Sequence, residues 1–140
     1  MKYYAVIDTN VLVSALLKWN SVPGKIIELV FSGTITPILN DVILNEYKEV
    51  LSRSKFHLTE DIVDEITDSL DKAALYVDAE PIDIDLPDSK DRVFYEIVME
   101  ARNQEEAWLV TGNMKHFPRE LFIVTPREML DIIMNDYHDE

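Results

Sequence analysis

Near the start of the chain the sequence reads Tyr3-Tyr4-Ala5-Val6-Ile7-Asp8-Thr9-Asn10-Val11-Leu12-Val13-Ser14. The run from Tyr3 to Ile7 is short, apolar and rich in residues that favour β-strands. The next three residues favour turns and helix caps, and a helical pattern then covers residues 11–18. The sequence therefore predicts a strand, a sharp loop and a helix, with Asp8 directly after the strand.

The same alternation of strands and helices continues along the chain. Further strands are predicted at residues 34–39, 108–111 and 122–124, and further helices at 25–31, 41–51, 60–76, 88–103 and 126–135. Asn40 is the expected cap of one helix, and Thr125 with Glu128 forms a capping box before the last. Residues 79–87 are rich in proline and aspartate and predict a connection, with a short strand at 82–84 as an option. We expect residues 136–140 to fray.

Alternating βα units of this kind predict the fold class. They favour an α/β architecture in which three layers, α/β/α, surround a central and mainly parallel sheet. The length of 140 residues fits one domain spanning residues 1–140. In such folds the functional site lies at the carboxyl ends of the strands. This rule selects Asp8, Asn113 after the strand at 108–111, and the helix-start acids Asp88 and Asp91.

The composition excludes several kinds of site. The chain has no cysteine, which excludes disulfides, thiol nucleophiles and cysteine-ligated metals. It has three glycines, too few and too dispersed for a phosphate-binding glycine loop. No apolar run approaches the ~20 residues that span a bilayer, and no signal peptide is recognisable, so we expect a cytoplasmic protein without a membrane partner.

The charge at first opposes a nucleic-acid partner. The chain carries 27 acidic and 13 basic side chains, a formal net charge of −14. Residues 60–91 contribute −10 of this, residues 1–59 contribute +1 and residues 92–140 contribute −5. The pattern in residues 60–76 predicts an amphipathic helix with an acidic outer face. Most of the negative charge therefore belongs to one segment and is expected to be solvated.

Four short motifs are distributed over nearly the whole chain. They are Val6-Ile7-Asp8-Thr9-Asn10-Val11-Leu12-Val13-Ser14, Leu44-Asn45-Glu46-Tyr47, Asp88-Ser89-Lys90-Asp91-Arg92-Val93-Phe94 and Leu109-Val110-Thr111-Gly112-Asn113. Taken together and in this order, they resemble the motifs of the PIN-domain ribonucleases, and they are especially similar to those of the toxin components of toxin–antitoxin pairs.

The resemblance implies a metal-dependent ribonuclease. In that family three or four acids above the sheet hold Mg²⁺ or Mn²⁺ for the hydrolysis of RNA phosphodiester bonds. On this resemblance the catalytic and metal-binding acids are Asp8, Glu46 and Asp91, with Asn113 at a fourth metal position. Because many members have aspartate where this chain has the uncharged Asn113, we expect one firm metal position and a weaker second. Hard cations of this kind bind carboxylate oxygen, which agrees with the proposed set.

The same resemblance implies the partners. RNA is the expected substrate, and basic residues must offset the carboxylates near its phosphates. The candidates near the motifs are Lys90, Arg92, Lys115, His116 and Arg119, of which His116 is expected to be a surface residue. We expect the acids of residues 60–91, apart from Asp91, to lie away from the RNA. A cognate antitoxin and a homodimer are both compatible with the resemblance.

Structural interpretations compete with these functional ones. Asp8 and Asp88 could serve as helix caps, and Thr9 and Asn10 could be caps or groups that position their neighbours. Glu46 could belong to a solvated helix face, and Asn113 could form an Asx turn. A haloacid-dehalogenase-like phosphatase would use the first aspartate as nucleophile, but it needs a second aspartate where this chain has Asn10. A PIN-like regulatory or binding module without catalysis is the other alternative. Asn113 favours that loss of activity, whereas Asp8, Glu46 and Asp91 oppose it.

Overall fold

The computed structural model describes residues 2–138, and within that range five parallel strands form one sheet flanked by six α-helices. The strands are β1 (Tyr3–Ile7), β2 (Ile35–Leu39), β3 (Leu75–Tyr76), β4 (Ala107–Val110) and β5 (Ile123–Val124). The helices are α1 (Thr9–Leu17), α2 (Val22–Phe31), α3 (Asp41–Leu51), α4 (Glu60–Ala73), α5 (Arg92–Ala101) and α6 (Pro126–His138). The predicted three-layer α/β/α class with a parallel sheet is confirmed.

The strand order β3-β2-β1-β4-β5 places β1 at the centre of the sheet. On one side of it Tyr3 pairs with Ile35 of β2, and on the other Ile7 pairs with Val110 of β4. The chain therefore adds strands on one side of β1 and then crosses to the other. A reversal of this kind opens a crevice at the carboxyl ends of the two strands beside it. The residue that follows β1, Asp8, stands at that crevice.

The central strands are buried, as parallel strands covered on both faces must be. Ala5 and Val6 of β1 and Leu109 and Val110 of β4 have no exposed surface. This core fixes the positions from which the loops at the carboxyl edge begin. Every helix between residues 2 and 138 is too short or too polar to cross a bilayer.

Two helix starts follow the predicted capping chemistry. Asn40 Oδ1 accepts a hydrogen bond from the amide of Ile43 at 2.8 Å, and α3 begins at Asp41, the residue after Asn40. In the capping box the Glu128 amide donates to Thr125 Oγ1 at 3.1 Å, and the Thr125 amide donates to Glu128 Oε1 at 3.0 Å. Both caps satisfy helix amides that have no partner within the helix.

The predicted helix at residues 60–76 is wrong at its end. Helix α4 stops at Ala73, and Leu75 and Tyr76 pair with Ile38 and Leu39 as strand β3. The amide of Val77 extends this pairing by donating to the Leu39 carbonyl at 3.0 Å. Helical periodicity inside the segment gives no sign of this edge strand, because its partner lies far away in the sequence.

The optional strand at residues 82–84 is also wrong. This connection is fixed by side chains of α5, since the Ile82 amide donates to Glu96 Oε2 at 2.6 Å and Arg92 Nη2 donates to the Ile84 carbonyl at 2.8 Å. The segment therefore meets a helix and not a strand.

Several helix boundaries also differ from prediction. Helix α1 begins at Thr9 and α2 at Val22, both earlier than expected. The helix predicted from residue 88 begins with a 3₁₀ turn, Ser89–Asp91, and only then becomes α5. Helix α6 continues to His138, so residues 136–138 do not fray, while residues 139–140 lie outside the described range.

Candidate active site

Asp8 is positioned by the sheet at the carboxyl end of β1. Its amide donates to the Val110 carbonyl at 2.9 Å, and Thr111 Oγ1 donates to its Oδ2 at 2.7 Å. Asp8 occupies the N-cap position of α1, but its carboxylate makes no capping hydrogen bond of the usual kind. The side chain is 5% exposed. The helix cap therefore does not account for a buried carboxylate at this position.

The electrostatic surroundings of Asp8 disfavour its charge. Burial is the largest effect and raises the pKa of Asp8 to about 6, while the hydrogen bond from Thr111 acts in the opposite direction. The charges of Asp91 and Glu46 raise that pKa further. Two neighbouring carboxylates therefore disfavour the charge of Asp8 at this edge of the sheet, and a nearby cation would favour its ionised form.

Glu46 reaches the same place from α3. Its neighbour Tyr47 is buried, and the Tyr47 hydroxyl donates to the Ile7 carbonyl at 2.5 Å, which ties α3 to the end of β1. Burial, followed by the charges of Asp8 and Glu46, raises the pKa of Tyr47 well above its ordinary value, so the phenol stays a neutral donor. The half-buried Glu46 carboxylate accepts a hydrogen bond from the Thr9 hydroxyl. Thr9 thus fixes Glu46 and does not act as a cap.

Asp91 ends the 3₁₀ turn before α5 and pairs with His116. The two side chains meet at 2.9 Å between His116 Nδ1 and Asp91 Oδ2. Burial is the main cause that raises the pKa of Asp91, and the hydrogen bond from His116 opposes it. The His116 side chain is 37% exposed, as expected of a surface residue, but its contact with Asp91 was not predicted. Asp88 does cap the turn as expected, accepting from the Lys90 amide at 3.0 Å.

Asn113 and Asn10 follow the two neighbouring strands β4 and β1. The Asn113 amide donates to Thr111 Oγ1 at 2.9 Å, but among the described residues the Asn113 side chain makes no capping hydrogen bond, so the Asx turn is wrong. The exposed side chain of Asn113 lines the same crevice as Asp8. Asn10 Oδ1 accepts a long hydrogen bond, 3.4 Å, from the Gly112 amide. Thr111 therefore connects Asp8 to the Asn113 loop, a role that sequence reasoning did not assign to it.

These side chains line one cavity of about 750 Å³ at the carboxyl edge of the sheet. Within the described chain its ionisable lining comprises five acids, two permanent cations and one histidine: Asp8, Glu46, Glu49, Asp88, Asp91, Arg53, Lys90 and His116. With every carboxylate ionised and the histidine neutral, the lining carries a net charge of −3. Sequence reasoning missed Glu49, Arg53 and Phe56 of this lining. Glu49 shares a face of α3 with Glu46, since helix positions three apart lie on one side. Arg53 follows the helix and forms an ion pair with Glu49 at 3.5 Å.

The predicted basic residues divide into three groups. Lys90 and His116 line the cavity. Arg92 Nη2 donates to the Ile84 carbonyl, and its buried Nε has no hydrogen-bond partner among the described residues. Arg92 is not part of the cavity lining. Lys115 and Arg119 line a second groove. Trp108, expected to belong to the core, is half-buried in β4 and packs against the core.

The carboxylates are near one another, but they do not form a ready set of ligands. Among residues 2–138 no group of three histidine, aspartate or glutamate side chains is arranged to hold a metal ion. In this conformation Glu46 is hydrogen-bonded to Thr9, and Asp91 to His116.

A family model described as a PIN domain matches residues 4–115. The chain belongs to the PIN-domain family. PIN domains are generally nucleases, and nucleic acid is the substrate class of the family. The matched range contains Asp8, Glu46, Asp91 and Asn113, whereas His116 is the first residue after it.

One curated relative of this PIN domain is an uncharacterized protein of Methanocaldococcus jannaschii, 46% identical over 46 residues. The match covers 33% of the chain and 30% of that relative, so the chain spans less than a third of the relative's length.

Proposed function

We propose that this PIN domain is a metal-dependent endoribonuclease that hydrolyses RNA phosphodiester bonds with Mg²⁺ or Mn²⁺. The observation that supports this most is the buried Asp8 carboxylate, whose pKa is raised to about 6 by burial and by the charges of Asp91 and Glu46. A protein keeps such repelling carboxylates together at a cost in stability, and perturbed groups in a cleft are typical of functional sites.

The residues of the cavity fit a hard divalent cation. Asp8, Glu46 and Asp91 offer carboxylate oxygen, the ligand type that Mg²⁺ and Mn²⁺ prefer, and the lining has a net charge of −3. These three side chains would hold the ion, with Asn113 adding an uncharged oxygen. When bound, the ion would activate water and stabilise charge on the leaving oxygen.

The protein's own groups supply the positioning. Thr111 holds the buried Asp8, Thr9 holds Glu46 and His116 holds Asp91. Lys90 and Arg53 on the cavity lining are the cations that an RNA phosphate would meet. The substrate phosphate must therefore enter between fixed carboxylates and two lining cations.

A cleavage assay tests the proposal. Structured RNA is incubated with the pure protein and Mg²⁺ or Mn²⁺, and the variants Asp8→Asn, Glu46→Gln and Asp91→Asn are compared with Asp68→Asn, an exposed acid of α4. We expect metal-dependent cleavage that the three cavity variants lose and the control retains. Absence of cleavage, or cleavage unchanged in the cavity variants, would refute the nuclease. Rapid hydrolysis of small phosphate esters would instead favour the phosphatase alternative.

Metal calorimetry tests the number of ions. Asn113 brings no charge to the fourth position, so we propose one firm site and a weaker or substrate-dependent second. A titration with Mn²⁺ should show a single tight event that Asp8→Asn removes. Two equivalent tight sites would contradict this, and Asn113→Asp should strengthen the second.

We also propose that the protein acts in the cytoplasm as the toxin of a toxin–antitoxin pair. The exposed apolar residues Leu17, Trp19 and Phe31 support a protein partner, either an antitoxin or a second copy of the chain. The Trp19 and Phe31 rings stack with centroids 6.3 Å apart. Growth should stop on expression of the wild type but not of Asp8→Asn, and a small protein encoded beside the gene should restore it. Wild-type expression without growth arrest would contradict the toxin role.

The competing proposal is a PIN-like binding module without catalysis. The neutral Asn113 favours it, as does the finding that no three acids or histidines among residues 2–138 are arranged to hold a metal ion. It predicts RNA binding that is indifferent to Asp91→Asn, together with no cleavage at any metal concentration.

A further inference from the structure

A second groove of about 810 Å³ lies next to the candidate active site. Its lining includes two cations, Lys115 and Arg119, together with the exposed apolar side chains of Met114 and Leu121. Leu121 is 96% exposed, although leucine normally favours burial. The groove thus combines two cationic side chains with accessible apolar surface.

The charge of this groove differs from that of the chain. Residues 107–119 contain no acid, although the whole chain carries 27. Within the described residues neither Lys115 nor Arg119 forms an ion pair. Two acids also line the groove, Glu120 and Glu128, and Glu128 is engaged at the start of α6 by the Thr125 amide. The groove is therefore neutral overall, whereas the cavity beside it has a net charge of −3.

The two depressions share one wall. The short 3₁₀ turn Met114–His116 separates them, with His116 lining the cavity and Met114 and Lys115 lining the groove. A polymer bound at Asp8 and Asp91 that crosses this turn reaches Lys115 next and Arg119 after it.

We propose that the groove binds a single strand of RNA where it leaves the active site. This inference rests on the proposed ribonuclease function. Lys115 and Arg119 contact backbone phosphates, and Met114 and Leu121 contact an unpaired base. A single strand is the ligand that fits, because its bases are free to meet apolar side chains while its phosphates follow the cations.

Salt-dependent binding tests the groove separately from cleavage. The probe is a fluorescently labelled uridine homopolymer, and its anisotropy is measured with Asp8→Asn protein so that the strand stays intact. The test variant adds Lys115→Ala and Arg119→Ala. The matched control adds Lys18→Ala and Lys72→Ala, which remove the same charge from exposed positions outside both depressions.

We expect the groove variant to bind about tenfold more weakly at moderate salt and to lose about 1.4 from the slope of log affinity against log salt, because each phosphate contact on a single strand contributes about 0.7. The control should retain the slope. Leu121→Ser should weaken binding without changing the slope, and Lys115→Arg with Arg119→Lys should restore it.

Cleavage by the protein with an intact Asp8 is measured in parallel. If RNA is cleaved but the groove variant binds like the control, the groove proposal is overturned and the ribonuclease stands. If binding depends on Lys115 and Arg119 but no form cleaves, the groove stands and the ribonuclease fails. Absence of any RNA binding overturns both.

Discussion

The Asp8 carboxylate is the residue where function and stability conflict most directly. An acid whose pKa is raised on folding contributes stability below its unfolded value near 3.8 and loses it as the pH rises through about 6. A shift of this size corresponds to about 3 kcal/mol, fully expressed above pH ~6. Metal-free protein should therefore become less stable between about pH 4 and pH 6 on account of this group.

Asp8→Asn should remove that penalty, because the amide carries no charge and can still accept the Thr111 hydrogen bond. We expect the variant, without metal, to unfold at higher urea concentration than the wild type above pH ~6, with a gain of about 1–3 kcal/mol. The gain should vanish near pH 4, because the Asp8 carboxyl of the folded wild type is then as uncharged as the amide that replaces it. Asp68→Asn on the exposed face of α4 is the control, with a change below about 0.5 kcal/mol. An Asp8→Asn protein that is less stable at every pH would contradict the prediction.

His116 is expected to position Asp91. A carboxylate has no proton to donate, so Nδ1 is the donor when Asp91 is ionised. Loss of a partner that orients a metal-binding carboxylate typically costs 10- to 100-fold in metal affinity or activity. His116→Ala should therefore weaken Mn²⁺ binding by about that factor without lowering the melting temperature appreciably, and His116→Asn, which retains a donor, should recover part of it. The control is His57→Asn, at an exposed histidine outside the cavity lining. Unchanged Mn²⁺ affinity in His116→Ala would contradict the positioning role.

At the scale of elements, the first turn of α2 packs closely against the loop that joins it to α1. A Cβ atom placed on Gly24 would lie 1.8 Å from the Trp19 carbonyl oxygen, which is backbone and cannot rotate away. Gly24→Ala should therefore displace the start of α2 and lower the free energy of unfolding by about 1–3 kcal/mol in a urea titration. Lys25→Ala, at an exposed position on the same helix, should change it by less than about 0.5 kcal/mol. Equal effects of the two substitutions would show that this close approach is absent.

The elements that the sequence predicted are those whose signals are local. Asn40 caps α3 and the Thr125 box caps α6, because each cap involves residues three apart in the chain. Strand β3 was missed because its pairing with β2 is long-range. In α4 the apolar Ile62 is 43% exposed, whereas the polar Thr67 is fully buried and its hydroxyl donates to the Val63 carbonyl. Hydrophobicity alone cannot detect a threonine that satisfies its own polar group.

The candidate site also combines residues that short motifs reveal with contacts between residues far apart in the sequence. The chain order of Asp8, Glu46 and Asp91 was visible in the motifs, and the structure brings all three to one cavity. The contacts that hold them join residues as far apart as Asp8 and Thr111, or Asp91 and His116, and depend on which strands are neighbours. The sequence therefore predicted the acids and a positioning role for Thr9, but not that Thr111 and His116 contact Asp8 and Asp91.

At the scale of the whole molecule, most of the net charge of −14 lies outside the cavity, whose lining carries −3. All twelve acids of residues 60–91 are within the described range, and of these only Asp88 and Asp91 line the cavity. The expectation that this segment lies away from the cleft is thus met except for Asp88, which caps the turn at the cavity edge. The remaining acids act on an approaching polyanion only through solvent.

Charge neutralisation should therefore depend on position and on salt. At 0.15 M ionic strength the screening length is about 8 Å, and at 0.01 M it is about 30 Å. The triple variant Asp64→Asn, Glu65→Gln, Asp68→Asn should change the KM for RNA less than about twofold at the higher salt and lower it more clearly at the lower salt. Glu49→Gln, which removes one negative charge from the cavity lining, should lower the KM for RNA at both salt concentrations. Steady-state cleavage at the two salt concentrations measures this. If the triple variant lowers KM at 0.15 M as much as Glu49→Gln does, the α4 acids lie on the RNA path.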